Sequence, residues 1–229
     1  MLRGLALRAG GAIEARCGLG SIVSLAVIMG ALLLGAISPG PSFVLVARTS
    51  IALSRRDGLA SAAGMGIGGV ILGSLALLGL RTLLAQAVWL YLGLKAIGGL
   101  YLIYLGLRLW RGAREPIAVA DKGEQAAARP GKSFGLGLAT QLSNPKTAVV
   151  YASIFAALLP AHPPAWMWAA LPPLIFAVET GWYAVVALLF SSARPRAAYL
   201  RSKRWIDRLA GSVLGVLGVR LIVDAGRPG

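Results

Sequence analysis

Ser143-Asn144-Pro145-Lys146 interrupts an apolar run from Phe134 to Pro160, and Ser38-Pro39-Gly40-Pro41 interrupts the first apolar run of the chain in a similar way. Proline has no amide hydrogen to donate and its ring clashes with the preceding turn, so each cluster frees polar backbone that lipid cannot satisfy. Both breaks are expected to face protein or a cavity. Asn144 is a good N-cap and Pro145 a good first helical residue, so a half-helix is expected to start there with its positive dipole end aimed inward. Pro39 after Ser38, or Pro41 after Gly40, permits the same reading of the first run. Two broken helices at corresponding places in two halves point to a substrate site near the middle of a membrane.

The composition agrees with a membrane setting: 57% of the 229 residues are hydrophobic, 14% are charged, and the mean hydropathy is +0.75. The apolar stretches are about twenty residues long, enough to cross a hydrocarbon core of about 30 Å. An all-α integral membrane protein follows, with the lipid bilayer as its surroundings. The net charge of +15 does not indicate nucleic acid, because most basic residues lie between apolar runs, where anionic lipid and the positive-inside bias account for them. Cys17 is the only cysteine and His162 the only histidine, which rules out an intrachain disulfide and a Cys/His metal cluster.

Six spans are expected. The first covers residues 20–37 and continues after its break to about 53; the others cover about 60–80, 88–110, 134–159, 166–190 and 205–223. Gly64 and Gly68 in the second span, and Gly211 and Gly215 in the sixth, are spaced for close helix approach. Trp89 and Trp110 mark the ends of the third as interfacial anchors. Residues 111–133 are charged and small with Pro116 and Pro130, the composition of a linker between two halves. The chain thus divides into a basic tail (1–19), a three-span repeat (20–110), a cytoplasmic linker (111–133), a second repeat (134–223) and a short tail (224–229).

Basic residues fix the expected orientation. Arg55 and Arg56 follow span one; Arg108, Arg111, Arg114, Lys122, Arg129 and Lys132 follow span three; Arg194, Arg196, Arg201, Lys203 and Arg204 follow span five. The opposite loops hold Arg81 alone. These three loops are expected in the cytoplasm and both termini outside, an orientation that Arg3, Arg8 and Arg16 oppose. Three spans per half then enter the membrane in opposite senses, as an inverted repeat with Pro-broken first and fourth helices.

Glu179 is the only acid deep in a span. A mid-membrane carboxylate costs about 2.5 to 3.5 kcal/mol even on lenient scales, so it is normally retained for a partner or a task. It suits a proton carrier or a group that meets a substrate amine. The alternative is a purely structural carboxyl paired with Lys146 or Trp182. Lys146, in the first turn of the half-helix, is electrostatically misplaced unless an anion is near, and could pair with Glu179 or with a substrate carboxylate; the alternative is a lysine that snorkels to the interface. Tyr151 and Trp182 read as helix-packing aromatics first and as ligands second.

Ser38-Pro39-Gly40-Pro41, the Arg55-Arg56-Asp57-Gly58 turn, the run from Leu94 to Gly106 (LKAIGGLYLIYLG) and Asn144-Pro145-Lys146 occur in an order that resembles the LysE-type lysine exporter superfamily, in the branch of homoserine, homoserine-lactone and threonine exporters. The resemblance covers residues 21–223. It implies a bacterial inner-membrane exporter of amino acids or their derivatives, driven by the proton gradient, with Glu179 standing where related sequences often carry an acid. Some basic-amino-acid exporters of the superfamily have an acid in the second span; its absence from residues 66–70 disfavours a lysine or arginine cargo. The expected substrate contacts are Pro39, Gly40, Pro41, Asn144, Pro145, Lys146, Glu179 and Trp182, with Glu179 also coupling protons. No cofactor and no nucleic-acid partner is expected, and a homo-oligomer is left open. Export of another small cation or metabolite, or a scaffold role without transport, are the alternatives. No nucleophile elbow, paired histidines or acidic metal motif suggests an enzyme.

Overall fold

Each proline cluster ends one helix and begins another. In the computed structural model, which describes residues 2–86, 88–115, 129–160 and 163–226, α1 (Leu2–Ile37) stops at Ser38 and α2 (Pro41–Ala52) restarts with proline in its first turn. Likewise α5 (Pro130–Leu142) stops at Ser143, and α6 (Pro145–Leu158) restarts behind Asn144. At 1.5 Å per residue, α5 and α6 are each about 20 Å long, too short to cross alone.

The remaining helices are α3 (Arg55–Gln86), α4 (Val88–Gly112), α7 (Ala165–Phe190) and α8 (Ala193–Ala225). Among the described residues no strand occurs. Four helices are long and apolar enough to cross a membrane, within Gly20–Ile37, Arg55–Leu80, Leu92–Gly112 and Ala165–Phe190. In α8 the apolar stretch is bounded and interrupted by Asp207, Arg208 and Arg220, so it is not among them. Helix α7 continues through Pro172 and Pro173, giving up the backbone bonds those residues cannot donate.

Two expected loops are helical. Arg55, Arg56 and Asp57 form the first turn of α3, and the basic residues from Arg194 to Arg204 lie on the first turns of α8. Arginine, lysine, alanine and leucine are all good helix formers, and only Ser192 stands before them as a cap position. Most of the expected linker, including Lys122, and the loop around His162 lie outside the described residues.

Lipid offers no hydrophobic drive for one helix to seek another, so packing rests on close fit between small residues. Helix α4 lies antiparallel on α8 through glycines seven residues apart. A Cβ on Gly99 would meet the carbonyl oxygen of Gly218 at 2.7 Å, and one on Gly211 that of Gly106 at 2.7 Å. Gly215 has open space where its own Cβ would be, yet its backbone nitrogen lies 3.0 Å from a Cβ built on Gly106, so the expected pair Gly211 and Gly215 does lie along the α4 contact, which extends to Gly218. Gly64 and Gly68 do serve close approach, to Phe134 and Gln141 of α5. Helix α3 packs on α5 and α7, and α4 on α6 and α8. The larger apolar core includes Leu32, Leu102, Ile154, Met167 and Leu214. A second cluster holds α2 in place, with the Phe43 ring edge-on to Phe190 and stacked on Tyr199 at centroid distances of 5.5 and 5.6 Å.

Asp57 locks the start of α3 to the start of α5. Ser54 caps α3, its Oγ accepting from the Asp57 amide and donating to Asp57 Oδ2. The other oxygen, Oδ1, accepts from the Arg129 amide at 3.0 Å and from Ser133 Oγ at 2.8 Å. Helix α5 has no side-chain cap of its own, so the buried carboxylate of Asp57 supplies one from across the bundle. Asp57→Ala is expected to lower the thermal unfolding midpoint of the detergent-solubilised protein. About 1 to 3 kcal/mol is lost for each buried donor left unpaired. Asp57→Asn, which keeps an acceptor, is expected to fall less.

Candidate functional site

The first turns of α2 and α6 meet at the two breaks. Asn144 does cap α6: its Oδ1 accepts from the Lys146 amide at 3.1 Å. Its Nδ2 donates to Ser42 Oγ at 3.0 Å, which ties the second break to the start of α2. Ser42 Oγ donates to Gln141 Oε1 at 2.7 Å, and Gln141 Nε2 donates to Glu179 Oε2 at 3.1 Å. Tyr151 OH donates to the other carboxylate oxygen, Oε1, at 2.9 Å. A directed chain of hydrogen bonds therefore runs from Asn144 through Ser42 and Gln141 to Glu179, with Tyr151 closing it.

Glu179 is 4% exposed and both of its oxygens act as acceptors. Each oxygen retains a further lone pair, so the carboxylate can take an incoming cation without losing Gln141 or Tyr151. Room for the acid comes from α3. A Cβ on Gly69 would lie 2.9 Å from Glu179 Cγ and 3.1 Å from Tyr151 OH.

Among the described residues Lys146 forms no salt bridge, with Glu179 or with another acid. Its Nζ donates to the carbonyl oxygens of Gly35 at 3.1 Å and Ser38 at 2.9 Å. The partner four residues after Gly35 is Pro39, which has no amide hydrogen; the partner of Ser38 has been carried into α2 by the break. Lysine supplies the missing donors, and its charge sits at the negative end of the α1 dipole instead of disturbing α6.

Two cavities meet at this lysine. The inner one is about 20 Å³, room for about one water, and is lined by Gly40, Ser42, Phe43, Asn144, Lys146, Tyr151 and Glu179 among others. It is closed to anything as large as an amino acid. The outer one is a vestibule of about 660 Å³ between α4, α8 and the first break, and shares Ser38, Gly40 and Lys146 with the inner one.

Of the expected site residues, Gly40, Asn144, Lys146 and Glu179 line the inner cavity and Pro39 the vestibule. Pro41 and Pro145 start the half-helices behind them. Trp182 lines neither: it packs on the α2 cluster, and its indole nitrogen has no hydrogen-bond partner among the described residues. Ser42, Gln141 and Tyr151 were not expected there. Gln141 lies in the apolar run just before the break, and a deep amide at that place is a signal the sequence does carry.

Residues 33–225 match the family described as LysE type translocator. The chain belongs to this family. It is similar to the threonine efflux protein of Escherichia coli strain K12, 33% identical over 82% of this chain and 91% of that one. It is also similar to the threonine efflux protein of Salmonella typhimurium strain LT2, at 34% with the same coverage. The leucine efflux protein of Klebsiella pneumoniae is 26% identical over 79% of this chain and 84% of its own. No solved structure matches the chain. As a LysE type translocator with several apolar helices, the chain is a multi-pass membrane protein whose relatives are named as transporters, in accord with amino-acid export.

Loss of the Tyr151 hydroxyl tests the hydrogen-bond chain. Tyr151→Phe removes one donor to Glu179 and leaves the ring beside Phe155. Efflux is expected to drop about tenfold or more, measured as rate at equal membrane abundance, since a bond to a charged group contributes about 1.5 kcal/mol or more.

Proposed function

We propose that the chain is a secondary exporter of neutral amino acids of threonine-like size, residing in the bacterial inner membrane and driven by proton exchange. The observation that carries this reading is the buried Glu179 carboxylate, which keeps spare acceptor capacity beside two interrupted helices. The substrate amine meets Glu179. Its carboxylate meets the first turn of α2, where Gly40 offers no side-chain cap and the amide donors remain available. Ser42 and Asn144 stand between the two ends. After release on the far side, a proton takes the place of the amine on Glu179 and the empty carrier resets.

Alternation fits six spans in two inverted halves, a reading that the order and pairing of the helices support. Each half has the order broken helix, long helix, long helix. The equivalent long helices pair across the halves, and both pairs run antiparallel: Gly66 and Gly73 of α3 lie against Thr180 and Ile175 of α7, while Gly99 and Gly106 of α4 lie against Gly218 and Gly211 of α8. That relation is what a two-fold axis in the membrane plane requires. The basic ends of α4 and α8 support a vestibule that opens on the cytoplasmic side. The relatives named for threonine and leucine efflux carry cargo with uncharged side chains, and neither broken helix nor α3 adds a second acid beside Glu179 to meet a basic one.

The deciding measurement is efflux of labelled amino acids from loaded cells, with and without this chain, across a panel that includes threonine, homoserine, leucine, lysine and arginine. Threonine or homoserine is expected to leave faster and growth on an excess of it to be tolerated better. Efflux of none of them, or of lysine and arginine alone, overturns the reading.

A further inference from the structure

The inner cavity is too small for an amino acid, whereas the vestibule of about 660 Å³ falls within the range of ordinary ligand sites. Its lining is also unusual for a membrane protein surface. Arg108, Arg111, Lys146 and Lys203 face it together with Glu115 and Asp207, so both signs of charge occur in one pocket. Asp207 is 1% exposed, and Lys203 Nζ holds its Oδ2 at 2.6 Å while also donating to the Gly112 carbonyl at 2.9 Å. The second oxygen, Oδ1, is buried with no partner among the described residues. A buried carboxylate oxygen left unpaired costs free energy that a structural ion pair has no need to spend.

We infer that the vestibule is a second, cytoplasmic binding site for a zwitterionic amino acid, distinct from the Glu179 pocket: Asp207 takes the amine, Arg108 and Lys146 the carboxylate. The charges suit this cargo: Asp207 has an unpaired oxygen for the ammonium, and Arg108 and Lys146, neither of which holds an ion pair within the described residues, face the carboxylate. Lys146 lies on the boundary of both cavities, so a carboxylate bound there draws the ammonium away from Gly35 and Ser38. The first break then loses its brace and the inner pocket can open. The substrate thereby loosens the barrier that separates it from Glu179. This inference rests on the export reading above and adds where the cargo is first held.

Inside-out membrane vesicles, whose outer face is the cytoplasmic one, give the test by threonine counterflow. Asp207→Asn and Arg108→Gln are each expected to raise the cytoplasmic KM for threonine about tenfold with the maximal rate within about twofold of wild type. Arg108 is exposed and makes no ion pair within the described residues, so its variant remains informative even if Asp207→Asn fails to accumulate. Competitors separate binding from mere structural damage. In wild type, 3-hydroxybutyrate, which lacks the amine, and threonine amide, which lacks the carboxylate, should both compete worse than threonine. The first disadvantage should shrink in Asp207→Asn and the second in Arg108→Gln. An unchanged KM in Arg108→Gln, or a raised KM with unchanged discrimination in both variants, overturns the vestibule site while export stands. Wild-type vesicles that exchange no amino acid overturn the export reading, and this inference with it.

Discussion

Glu179→Gln is expected to reduce threonine efflux at least about tenfold while the protein still accumulates in the membrane. Glutamine has the volume of glutamate, so the fit against Gly69 is retained. The hydrogen bond from Tyr151 can also persist, on the amide oxygen. What changes is charge: the amide cannot balance a substrate ammonium or bind and release a proton, and its NH2 faces the donor of Gln141. Loss of a charged hydrogen bond is worth about 1.5 to 3 kcal/mol, which corresponds to about ten- to a hundredfold in rate. Efflux from loaded cells and threonine exchange in vesicles should both fall, and the dependence of efflux on external pH should flatten. Loss of net efflux with full exchange would show that the acid moves the proton without touching the amine. Wild-type efflux in both assays would remove Glu179 from the site.

The features legible in the sequence are those whose physics is local. A proline lacks its amide hydrogen wherever it stands, so the breaks at Pro39 and Pro145 could be placed without knowing what packs beside them. An isolated acid in an apolar run is costly in any fold, which singled out Glu179. Asn144 as a cap follows from the same short-range rule. The partners were beyond reach because they depend on distant chain. Ser42 and Gln141 are ninety-nine residues apart; a serine in a helix has no intrinsic cost large enough to mark it, and a deep glutamine marks itself but not its partner. Tyr151 read as packing because half of it is: the ring meets Phe155 and only the hydroxyl reaches Glu179.

Charge misled in three places. The basic residues at the start of α8 suggested a loop, although their helix propensities are good and the positive-inside bias concerns position relative to the membrane rather than backbone shape. Asp57 was visible only as part of a familiar turn, since its role as a cap for α5 needs Arg129 and Ser133 from the other half. Lys146 seemed to need an anion because its own helix disfavours it; the negative end of another helix serves instead.

Lys146→Met is therefore expected to impair both stability and transport, and Lys146→Arg to separate the two. Methionine keeps most of the stem but takes from the Gly35 and Ser38 carbonyls the donor that braces them both. At about 1 to 3 kcal/mol for each unpaired buried group, the thermal midpoint should fall measurably and efflux at least about tenfold. Arginine offers several donors and can still brace both carbonyls, so the midpoint should return towards wild type. Its planar guanidinium is larger than an ammonium, and the stem already lies 3.5 Å from where a Cβ on Gly40 would be. The brace is then harder to withdraw, and efflux should stay low although the protein is stable. Equal recovery of both by arginine would mean that Lys146 only holds the break together; recovery of stability alone would mean that the break must also let go.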